Sequence, residues 1–587
     1  MNAALVAAVA LAGYACGYLF YSRYLAVKIF ELRADVKTPA HARRDDVDYV
    51  PTSPWVLFGH HFASIAGLAP MLGPAVAVIW GWLPALLWVL FGAIFVGCVH
   101  DFGSMVVSLR ARGLSIGKAA EGIIGPRAKT LFHIIIFFLV ALAMGVFAFV
   151  IAFLFSPPKT QAEASIHFPQ AVIPSFGLMI IASIMGFLGH KRGMSWKILA
   201  PVGFALTLVL TYVAGNPALV SALTLDDTSI WTVNTWMVIL LAYAFIASVM
   251  PVWTLLQPRD FLNSFLLYLG LGAMYTGFFV LQPKFVNAPV IPEPEGAPGL
   301  FPFVFIVIAC GAASGFHSLV SSGTTAKQLD KETHARPVGY GGMIGESMLG
   351  LLAVLATTAG VNPEMWDKYY GSWSSMQGLG PKIGVFIQGS SSFLEALGIN
   401  RQLGSTFISL VVVSFALTSL DSATRLLRYN IEEMSETLKV KPLGNRFIAG
   451  LLAIGAIAFF AFYKIDGRPA GLALWALFGT TNQLLAGLAL LAITLYLLKR
   501  GKPWYFTGIP MVFLLGATLL AMYSNITTFL AKKAWPLFTV GLVLMVLAVW
   551  VVIEAILSII KFKQEGRVIE SLDVFVEPGQ KVEGSKG

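Results

Sequence analysis

The sequence is poor in charged residues. Of its 587 residues, 12% are Asp, Glu, Lys or Arg, whereas 57% are hydrophobic. A water-soluble globular domain usually carries about 25% charged residues, so this chain lacks the polar surface needed to face water on all sides. Cysteine is scarce as well. Cys16, Cys98 and Cys310 lie in apolar runs without CxxC spacing, which signals neither a disulfide framework nor a zinc site, and we interpret them as small core residues.

The apolar residues come in runs of about 20, the length that crosses a hydrocarbon core of about 30 Å. We therefore predict an all-α integral membrane protein with about fifteen transmembrane helices. The first run, 3–21, has no basic segment before it and no small-residue cleavage site after it. We interpret it as a retained helix rather than a removed signal peptide.

The net charge of +10 follows the predicted topology. When the loops are assigned alternately to the two sides of a membrane, 31 of the 40 Lys and Arg residues fall on one side. That side is predicted to be cytoplasmic, because cytoplasmic loops are enriched in Lys and Arg. The N-terminus is then outside and the C-terminus inside. Since the basic residues are confined to these loops, no nucleic-acid partner is predicted.

Two predicted spans are rich in glycine, serine and proline. The second, 54–80, contains the stretch GHHFASIAGLAPMLGP, and the ninth, 301–323, contains GAASGFHSLVSSG. Such residues leave backbone groups unpaired, which a membrane tolerates only where protein or a water-filled cavity satisfies them. We predict that both spans are discontinuous helices that line a site.

The two interrupted spans share a G-x-H-x5-G spacing. Gly59, His61 and Gly67 recur as Gly315, His317 and Gly323, 256 residues later. The chain crosses the membrane seven times in passing from the second span to the ninth, an odd number of steps, so the two spans run in opposite directions. Broken helices in inverted positions indicate an inverted-repeat transporter with its site near the midplane. The predicted division of the chain is an N-terminal helix and basic loop (1–53), a first five-helix repeat (54–214), two linking helices (230–282), a second five-helix repeat (301–497), C-terminal helices (504–560) and a cytoplasmic tail (561–587).

Ionisable side chains within apolar spans are costly, so we treat them first as functional candidates. His60 and His61 precede the break in the second span, and His100 and Asp101 lie near the inner end of the third. Because these spans are antiparallel, the two groups could meet and relay protons, since imidazole titrates near the working pH. A hydrogen-bond network that ties helices together is the other interpretation.

Two further acids lie at span ends. Glu346 begins the tenth span and Asp421 ends the eleventh, and we expect both near the inner face. Each is predicted either to carry a proton or to pair with Arg425 or Arg428. The predicted proton-coupling residues are His61, His100, Asp101, Glu346 and Asp421.

Uncharged polar groups complete the candidate site. Asn482 and Gln483 lie within a span, where their amides would either donate to a substrate carboxylate or bind a neighbouring helix. Arg259 and Asp260 follow a proline in a tight inner turn and are interpreted as an interface anchor. The predicted substrate-binding residues are Gly59, His60, His61, Gly67, Ser314, Gly315, His317, Ser321, Asn482 and Gln483.

Metal-competent side chains are present in the first cluster. His60, His61, His100 and Asp101 have suitable donor atoms, but HExxH or a similar metal-binding spacing is missing from the sequence. We therefore predict no metal or other cofactor and keep this set as a minor alternative. The energy source is expected to be a proton gradient.

Seven ordered stretches resemble the carbon starvation protein A family of bacterial inner-membrane transporters. They extend from about Tyr49 to Leu490 and read YVPTSPWVLFGHHFASIAGLAPMLGP, VHDFGSM, PVWTLLQPRDFLNSF, GAASGFHSLVSSGTTAKQL, GYGGMIGESM, LTSLDSATRLLRY and LFGTTNQLLAGLAL. The resemblance implies uptake of peptides or pyruvate during nutrient limitation, proton coupling in the pyruvate-transporting members, and kinship to the inverted-repeat amino-acid transporter fold. The chain looks shorter at its C-terminus than the larger members.

The residues and the resemblance together predict a secondary active transporter, a proton symporter of peptides or pyruvate, rather than an enzyme. A channel would favour rings of like residues or filter loops of carbonyls, and a membrane metalloenzyme would use the His/Asp cluster. Both remain alternatives at this stage. The expected partners are a small-molecule substrate and the lipid bilayer, and the number of subunits is left open.

Overall fold

The computed structural model describes residues 2–159, 167–375, 379–465 and 467–565. Its long helices are α1 (Ala3–Ile29), α2 (Pro54–Ile65), α3 (Ala69–Trp80), α4 (Trp82–Arg110), α5 (Pro126–Phe155), α6 (Pro169–Lys191), α7 (Trp196–Ala214), α8 (Val233–Val249), α9 (Leu256–Leu281), α10 (Leu300–Val307), α11 (Gly315–Val320), α12 (Glu332–Ala359), α13 (Leu379–Glu395), α14 (Arg401–Leu438), α15 (Arg446–Phe462), α16 (Trp475–Lys499), α17 (Tyr505–Ala531) and α18 (Trp535–Glu565). Short helices occupy Pro39–Ala42, Ile116–Ile123, Pro217–Ala222, Pro363–Tyr370 and Ala470–Ala473, and Lys464–Ile465 pairs with Arg468–Pro469 in a two-stranded hairpin.

Among the described residues, 11 helices are long and apolar enough to cross a membrane, and the bent pair α2/α3 brings the number to 12. The all-helical membrane class is thus confirmed. About fifteen spans would require α8, α15 and the α10/α11 pair to cross as well, so that number stays a prediction. Most of the tail, 566–587, lies outside the described residues.

Both predicted interruptions are present. α2 ends where Ala66 leaves the helical region, and α3 starts at Ala69 with its axis bent by 48°. The second interruption covers 308–314, between α10 and α11, and includes Gly311 at φ +92°. A residue with a Cβ rarely adopts that angle. A π-helical turn, Ser321–Thr325, continues α11.

The packing of the helices has an internal correspondence. α2 packs on α9 as α11 packs on α16, and α3 packs on α12 as the π-helical turn after α11 packs on α4. Likewise, α8 contacts both α5 and α14, and α15 contacts the same two helices. α6 and α7 pack on α9 from outside, in the way that α17 and α18 pack on α16.

Lipid-facing and protein-facing surfaces separate accordingly. α6, α7 and α18 expose large apolar side chains such as Ile180, Val202 and Val546, the surface expected against hydrocarbon. The broken helices pack against α4, α9, α12, α14 and α16. Any polar side chain on them is therefore held in the centre of the protein.

Candidate functional site

Four titratable side chains meet beside the second break, and we call them the His317 cluster: His100, Asp101, His317 and Glu346. His317 comes from the first turn of α11, because Gly315 starts that helix directly after the break. The Nδ1 atom of His317 lies 3.0 Å from Oδ2 of Asp101, and the Nδ1 atom of His100 lies 2.7 Å from Oδ1 of the same carboxylate. All four side chains are fully buried.

The other ring nitrogen of His317 faces the second carboxylate of the cluster. Its Nε2 atom lies 3.1 Å from Oε2 of Glu346. This is a close charge contact without hydrogen-bond alignment, and both oxygens of Glu346 have no hydrogen-bond partner among the described residues. A single imidazole thus lies between two carboxylates, so a proton on it has an acceptor on either side.

A hydrogen-bond network fixes the backbone next to this cluster. The side-chain oxygen of Asn482, on α16, accepts a hydrogen bond from the backbone N–H of Phe316 at 2.9 Å. The same side chain also accepts a hydrogen bond from the hydroxyl of Ser314 and donates one to it. The thiol of Cys310 donates to the Ser314 hydroxyl at 3.2 Å. Asn482 therefore caps the start of α11 and so binds a neighbouring helix; its role in substrate binding stays a prediction.

Gln483 differs from its neighbour. Its side chain is fully buried, yet neither its amide nitrogen nor its oxygen has a hydrogen-bond partner among the described residues. His61 shares this feature on one side, since Nδ1 lies 2.9 Å from the hydroxyl of Thr325 while Nε2 has no partner in the described part of the chain. Buried polar atoms without partners are expected where a ligand or water completes the site.

A second buried group, the Arg259 cluster, joins α2, α8, α9 and α14 and consists of His60, Tyr243, Arg259, Asp260 and Asp421. Arg259 contacts both carboxylates: one guanidinium nitrogen lies 2.5 Å from Asp260 and 2.9 Å from Asp421. His60 Nδ1 lies 2.6 Å from Asp260, and the hydroxyl of Tyr243 donates to Asp421 at 2.6 Å. The charged members are at most 1% exposed.

The charges of the Arg259 cluster do not balance without a proton. Two carboxylates face one guanidinium, and the remaining titratable partner is His60. Burial of a net charge is expensive, so one proton on His60 or on a carboxylate makes the group neutral. The cluster is therefore a second place where a proton can be held within the spans.

The structure corrects several sequence-based expectations about these acids. Asp421 is not at the end of its helix and does not pair with Arg425 or Arg428, because α14 extends 38 residues and directs Asp421 toward Arg259. Glu346 is fully buried inside the protein, and its depth in the membrane stays a prediction. Arg259 and Asp260 lie in the first turn of α9 and inside the protein, so their interpretation as an interface anchor was wrong.

The two histidine groups meet only in part. Asp101 binds His100 and His317, whereas His60 binds Asp260 in a different cluster. His61 lies within electrostatic reach of Asp101 and His317. The alternative metal set of His60, His61, His100 and Asp101 does not assemble as one ligand group among the described residues.

The glycines of the shared spacing lie at close helix contacts. A Cβ on Gly59 would be 2.7 Å from the hydroxyl of Ser264, one on Gly67 would be 2.5 Å from that of Ser419, and one on Gly315 would overlap the backbone of Asn482. His61 precedes its break whereas His317 follows its own, so the shared spacing does not mark equivalent positions. Ser321 lies buried in the π-helical turn after α11, and its hydroxyl has no partner among the described residues.

Sequence reasoning missed Arg259, Tyr243 and Cys310 as members of buried polar groups. Arg259 was recognisable only as an Arg-Asp pair behind a proline at a span end, which is also the pattern of an interface anchor. Cys310 lies in the interrupted segment of the second broken span, and that position was its one signal. Each has a partner on a helix more than 150 residues away along the chain, and no local pattern specifies such pairings.

A third charged group lies outside the spans, where the loop before α2 meets α14. Asp48 binds Arg425 at 2.6 Å and Arg428 at 3.2 Å, and the hydroxyl of Tyr429 donates to it at 2.5 Å. Burial opposes ionisation of the carboxyl, but Arg428, Arg425 and Lys327 outweigh it and hold the pKa of Asp48 well below its usual value. This ionic contact fixes the loop to the helix that carries Asp421.

The broken helices and the titratable groups enclosed between them define a polytopic membrane transport protein. The family model for carbon starvation protein CstA matches residues 2–370 and 367–521, and the chain belongs to this family. It is 34% identical over 571 residues to the peptide transporter CstA of Campylobacter jejuni, covering 88% of this chain and 78% of that protein. It is 30% identical over 590 residues to the pyruvate/proton symporter BtsT of Escherichia coli K12, covering 87% and 80%.

Solved transporter structures resemble the chain at low sequence identity. The manganese transporter of Eremococcus coleocola matches with a TM-score of 0.47 at 13% identity, covering 89% of this chain and 99% of that one. MhsT in complex with L-phenylalanine matches with a TM-score of 0.44 at 12% identity, covering 81% and 99%. The family and the curated relatives, rather than these structures, make the chain a membrane transporter, as the sequence predicted.

Proposed function

We propose that the protein is a secondary active transporter that uses a proton gradient to take up peptides or pyruvate. The observation that carries this proposal is the imidazole of His317, held between Asp101 and Glu346 beside the second break. A symporter needs a group whose proton is exchanged with one side and then the other. An imidazole with a carboxylate on each nitrogen meets that requirement, and His61 and His100 extend the group toward α2 and α4.

The substrate class rests on the relatives and on the unpaired atoms of the site. Peptides and pyruvate, transported by the relatives according to their names, share a carboxylate. Gln483 and His61 offer buried polar atoms that lack partners among the described residues. An amide N–H and an imidazole N–H can both donate to a carboxylate. We therefore assign carboxylate binding to these two side chains and keep Gly67, Ser314 and Ser321 as predicted members of the site.

The packing correspondence supports an inverted repeat with other members than the sequence predicted. The first repeat would comprise α2/α3, α4, α5, α8 and α9, and the second α10/α11, α12, α14, α15 and α16. In this assignment each broken helix packs on the last helix of its repeat, as α2 does on α9 and α11 on α16. α6 and α7, within the segment 54–214 assigned to the first repeat by sequence, become a peripheral insertion instead.

The orientation is also part of this proposal. The basic loops place the N-terminus outside and the C-terminus in the cytoplasm of a bacterial inner membrane. The loop that contains Asp48 is then cytoplasmic, together with Arg425 and Arg428. Labelling of single introduced cysteines at Asp46 and Asp227 with a membrane-impermeant reagent tests this, since the two loops are expected on opposite sides.

The decisive experiment is uptake by purified protein in proteoliposomes. Pyruvate and di- and tripeptides are compared, each with and without an inward proton gradient. We expect accumulation of one class only when the gradient is imposed. Accumulation that ignores the gradient would contradict proton coupling, and a flux without saturation would favour a channel.

Three variants test the assigned residues within the same assay. Asp101→Asn and Glu346→Gln are expected to lose gradient-driven accumulation while keeping exchange of labelled for unlabelled substrate, because exchange requires no net proton movement. His61→Ala is expected to lose accumulation as well and to keep only some exchange, because His61 is also assigned to the substrate carboxylate. Glu121→Gln is the control, since its carboxylate is 42% exposed and pairs with Lys129. If all three variants accumulate substrate with normal pH dependence, the cluster is structural.

A further inference from the structure

A thiol, an imidazole and a carboxylate converge in the second break. The Sγ of Cys310, a ring nitrogen of His317 and a carboxylate oxygen of Glu346 all lie within 4.8 Å of one another, and the three residues are buried. They come from the interrupted segment, from α11 and from α12, so the tertiary fold rather than a local motif assembles them. We propose that these three side chains form a binding site for a divalent transition-metal ion of intermediate softness, such as Zn²⁺.

The available atoms support metal binding. Nε2 of His317 and both oxygens of Glu346 are buried and have no hydrogen-bond partner among the described residues. Ligand atoms around a four-coordinate zinc ion lie roughly 3 to 4 Å apart, given Zn–S of about 2.3 Å and Zn–N of about 2.0 Å. The side chains of Cys310 and Glu346 thus need only small rotations to share one ion, and a water or the substrate would fill the fourth position.

The surroundings of the ligands also fit. Metal-binding histidines usually donate their other ring N–H to a carboxylate, which orients the imidazole. Here Nδ1 of His317 lies 3.0 Å from Asp101, which is held in turn by His100. The amide nitrogen of Asn482 lies 3.4 Å from the sulfur of Cys310, a contact that favours a thiolate.

The ligand types select among metals. A thiolate with an imidazole and one carboxylate favours Zn²⁺ and Co²⁺ over Mg²⁺ and Ca²⁺, which prefer oxygen ligands. Binding would release the thiol proton to solvent, together with any proton held between His317 and Glu346. Metal and proton therefore compete for the same atoms, and a bound ion should block proton coupling. Metal binding itself does not depend on the proposed transport activity.

The experiment is a Co²⁺ titration of the purified full-length protein, followed by near-ultraviolet absorption. Coordination by a thiolate gives a sulfur-to-cobalt charge-transfer band, so a cysteine ligand has a signature of its own. We expect one equivalent of Co²⁺ to give this band, Zn²⁺ to abolish it, and Mg²⁺ to leave it unchanged. Absence of the band at stoichiometric Co²⁺ would overturn the proposal.

The three cysteines of the chain make the assignment testable one by one. Cys310→Ser should remove the band, whereas Cys98→Ser, which alters a buried thiol on α4 outside the ligand group, should retain it. Glu346→Gln should weaken Co²⁺ binding at least tenfold while keeping the band. If Cys310→Ser does not fold, the Cys16→Ser/Cys98→Ser double variant decides, because the band must then persist with Cys310 alone. Loss of the band in that double variant would refute the site.

Discussion

Arg259 shows how one residue can determine the charge of a buried region. It is the one guanidinium that faces the carboxylates of Asp260 and Asp421 in the Arg259 cluster, and it is 1% exposed. Removing one member of a buried ion pair costs about 3–5 kcal/mol because an uncompensated charge remains. The cost of a substitution here should therefore follow the charge that is left behind, not the number of contacts that are lost.

Two substitutions in the Arg259 cluster test this expectation. Arg259→Met leaves one buried negative charge uncompensated and should lower the free energy of unfolding by about 4 kcal/mol. Asp421→Asn leaves Arg259 balanced by Asp260 and should lower it by about 1–2 kcal/mol, the cost of a weakened hydrogen bond. Thermal unfolding of the detergent-purified variants measures both. Equal losses would show that charge balance does not control this cluster.

Residues of the site differ in how well the sequence revealed them. His61, His100, Asp101, Glu346 and Asp421 stood out because ionisable groups are rare within apolar runs. Their pairings were not evident, since His317 to Asp101 and Arg259 to Asp421 are contacts between helices more than 160 residues apart. A buried cation and an interface cation have the same local sequence pattern, and this is why Arg259 was interpreted as an anchor.

At the scale of elements, the second break depends on α16. α11 starts at Gly315, and its first N–H groups lack partners within the helix. Asn482 supplies an acceptor for the N–H of Phe316, while Gly315 allows the two backbones to approach. The sequence indicated the break through its glycine and serine content, but not the partner that stabilises it, because the cap comes from another helix.

The adjacent amides of Asn482 and Gln483 give a matched pair of variants. Asn482→Leu leaves the N–H of Phe316 unsatisfied and should lower the free energy of unfolding by about 1–3 kcal/mol. Gln483→Leu removes an amide that has no hydrogen-bond partner among the described residues, so stability should change by less than about 1 kcal/mol while substrate affinity falls. Thermal unfolding and substrate-binding measurements separate the two effects. A Gln483→Leu variant with unchanged affinity would remove this residue from the substrate site.

At the scale of the whole molecule, the sequence predicted the class and the two broken helices, whereas the composition of the repeats stays a proposal. Consecutive apolar runs suggested that 54–214 forms one repeat. In the structure, α8 and α15 contact the same two helices, and α6 and α7 pack on α9 from outside. Hydropathy reports which segments are in the membrane but not which neighbours they have. The insertion of two helices that we propose therefore has no signal in the hydropathy.

The loop before α2 is held against α14, which in turn contacts the end of α8. Asp48 holds Arg425 and Arg428 on α14, and Arg425 also donates to the carbonyl of Ala247 at the end of α8. Lys327, after the second broken span, lies 3.5 Å from the ring centroid of Tyr429. Segments adjoining both broken helices thus meet on α14, and release of Asp48 should loosen this face of the protein.

The last prediction concerns this contact. Asp48→Asn should lower the free energy of unfolding by about 2 kcal/mol, the value of a hydrogen bond between charged groups, and should raise amide hydrogen exchange in 45–53. Because the pKa of Asp48 is held below its usual value, the stabilisation is present above the ordinary Asp pKa of about 3.9 and is lost only as pH falls through the lower folded value. The difference in the free energy of unfolding between wild type and variant should therefore be constant from about pH 8 to pH 5.

Asp46→Asn is the control on the same loop, since its pair with Arg44 is more than half exposed on both sides and such pairs contribute about 0–1 kcal/mol. Equal exchange in the two variants would show that Asp48 does not hold this face closed.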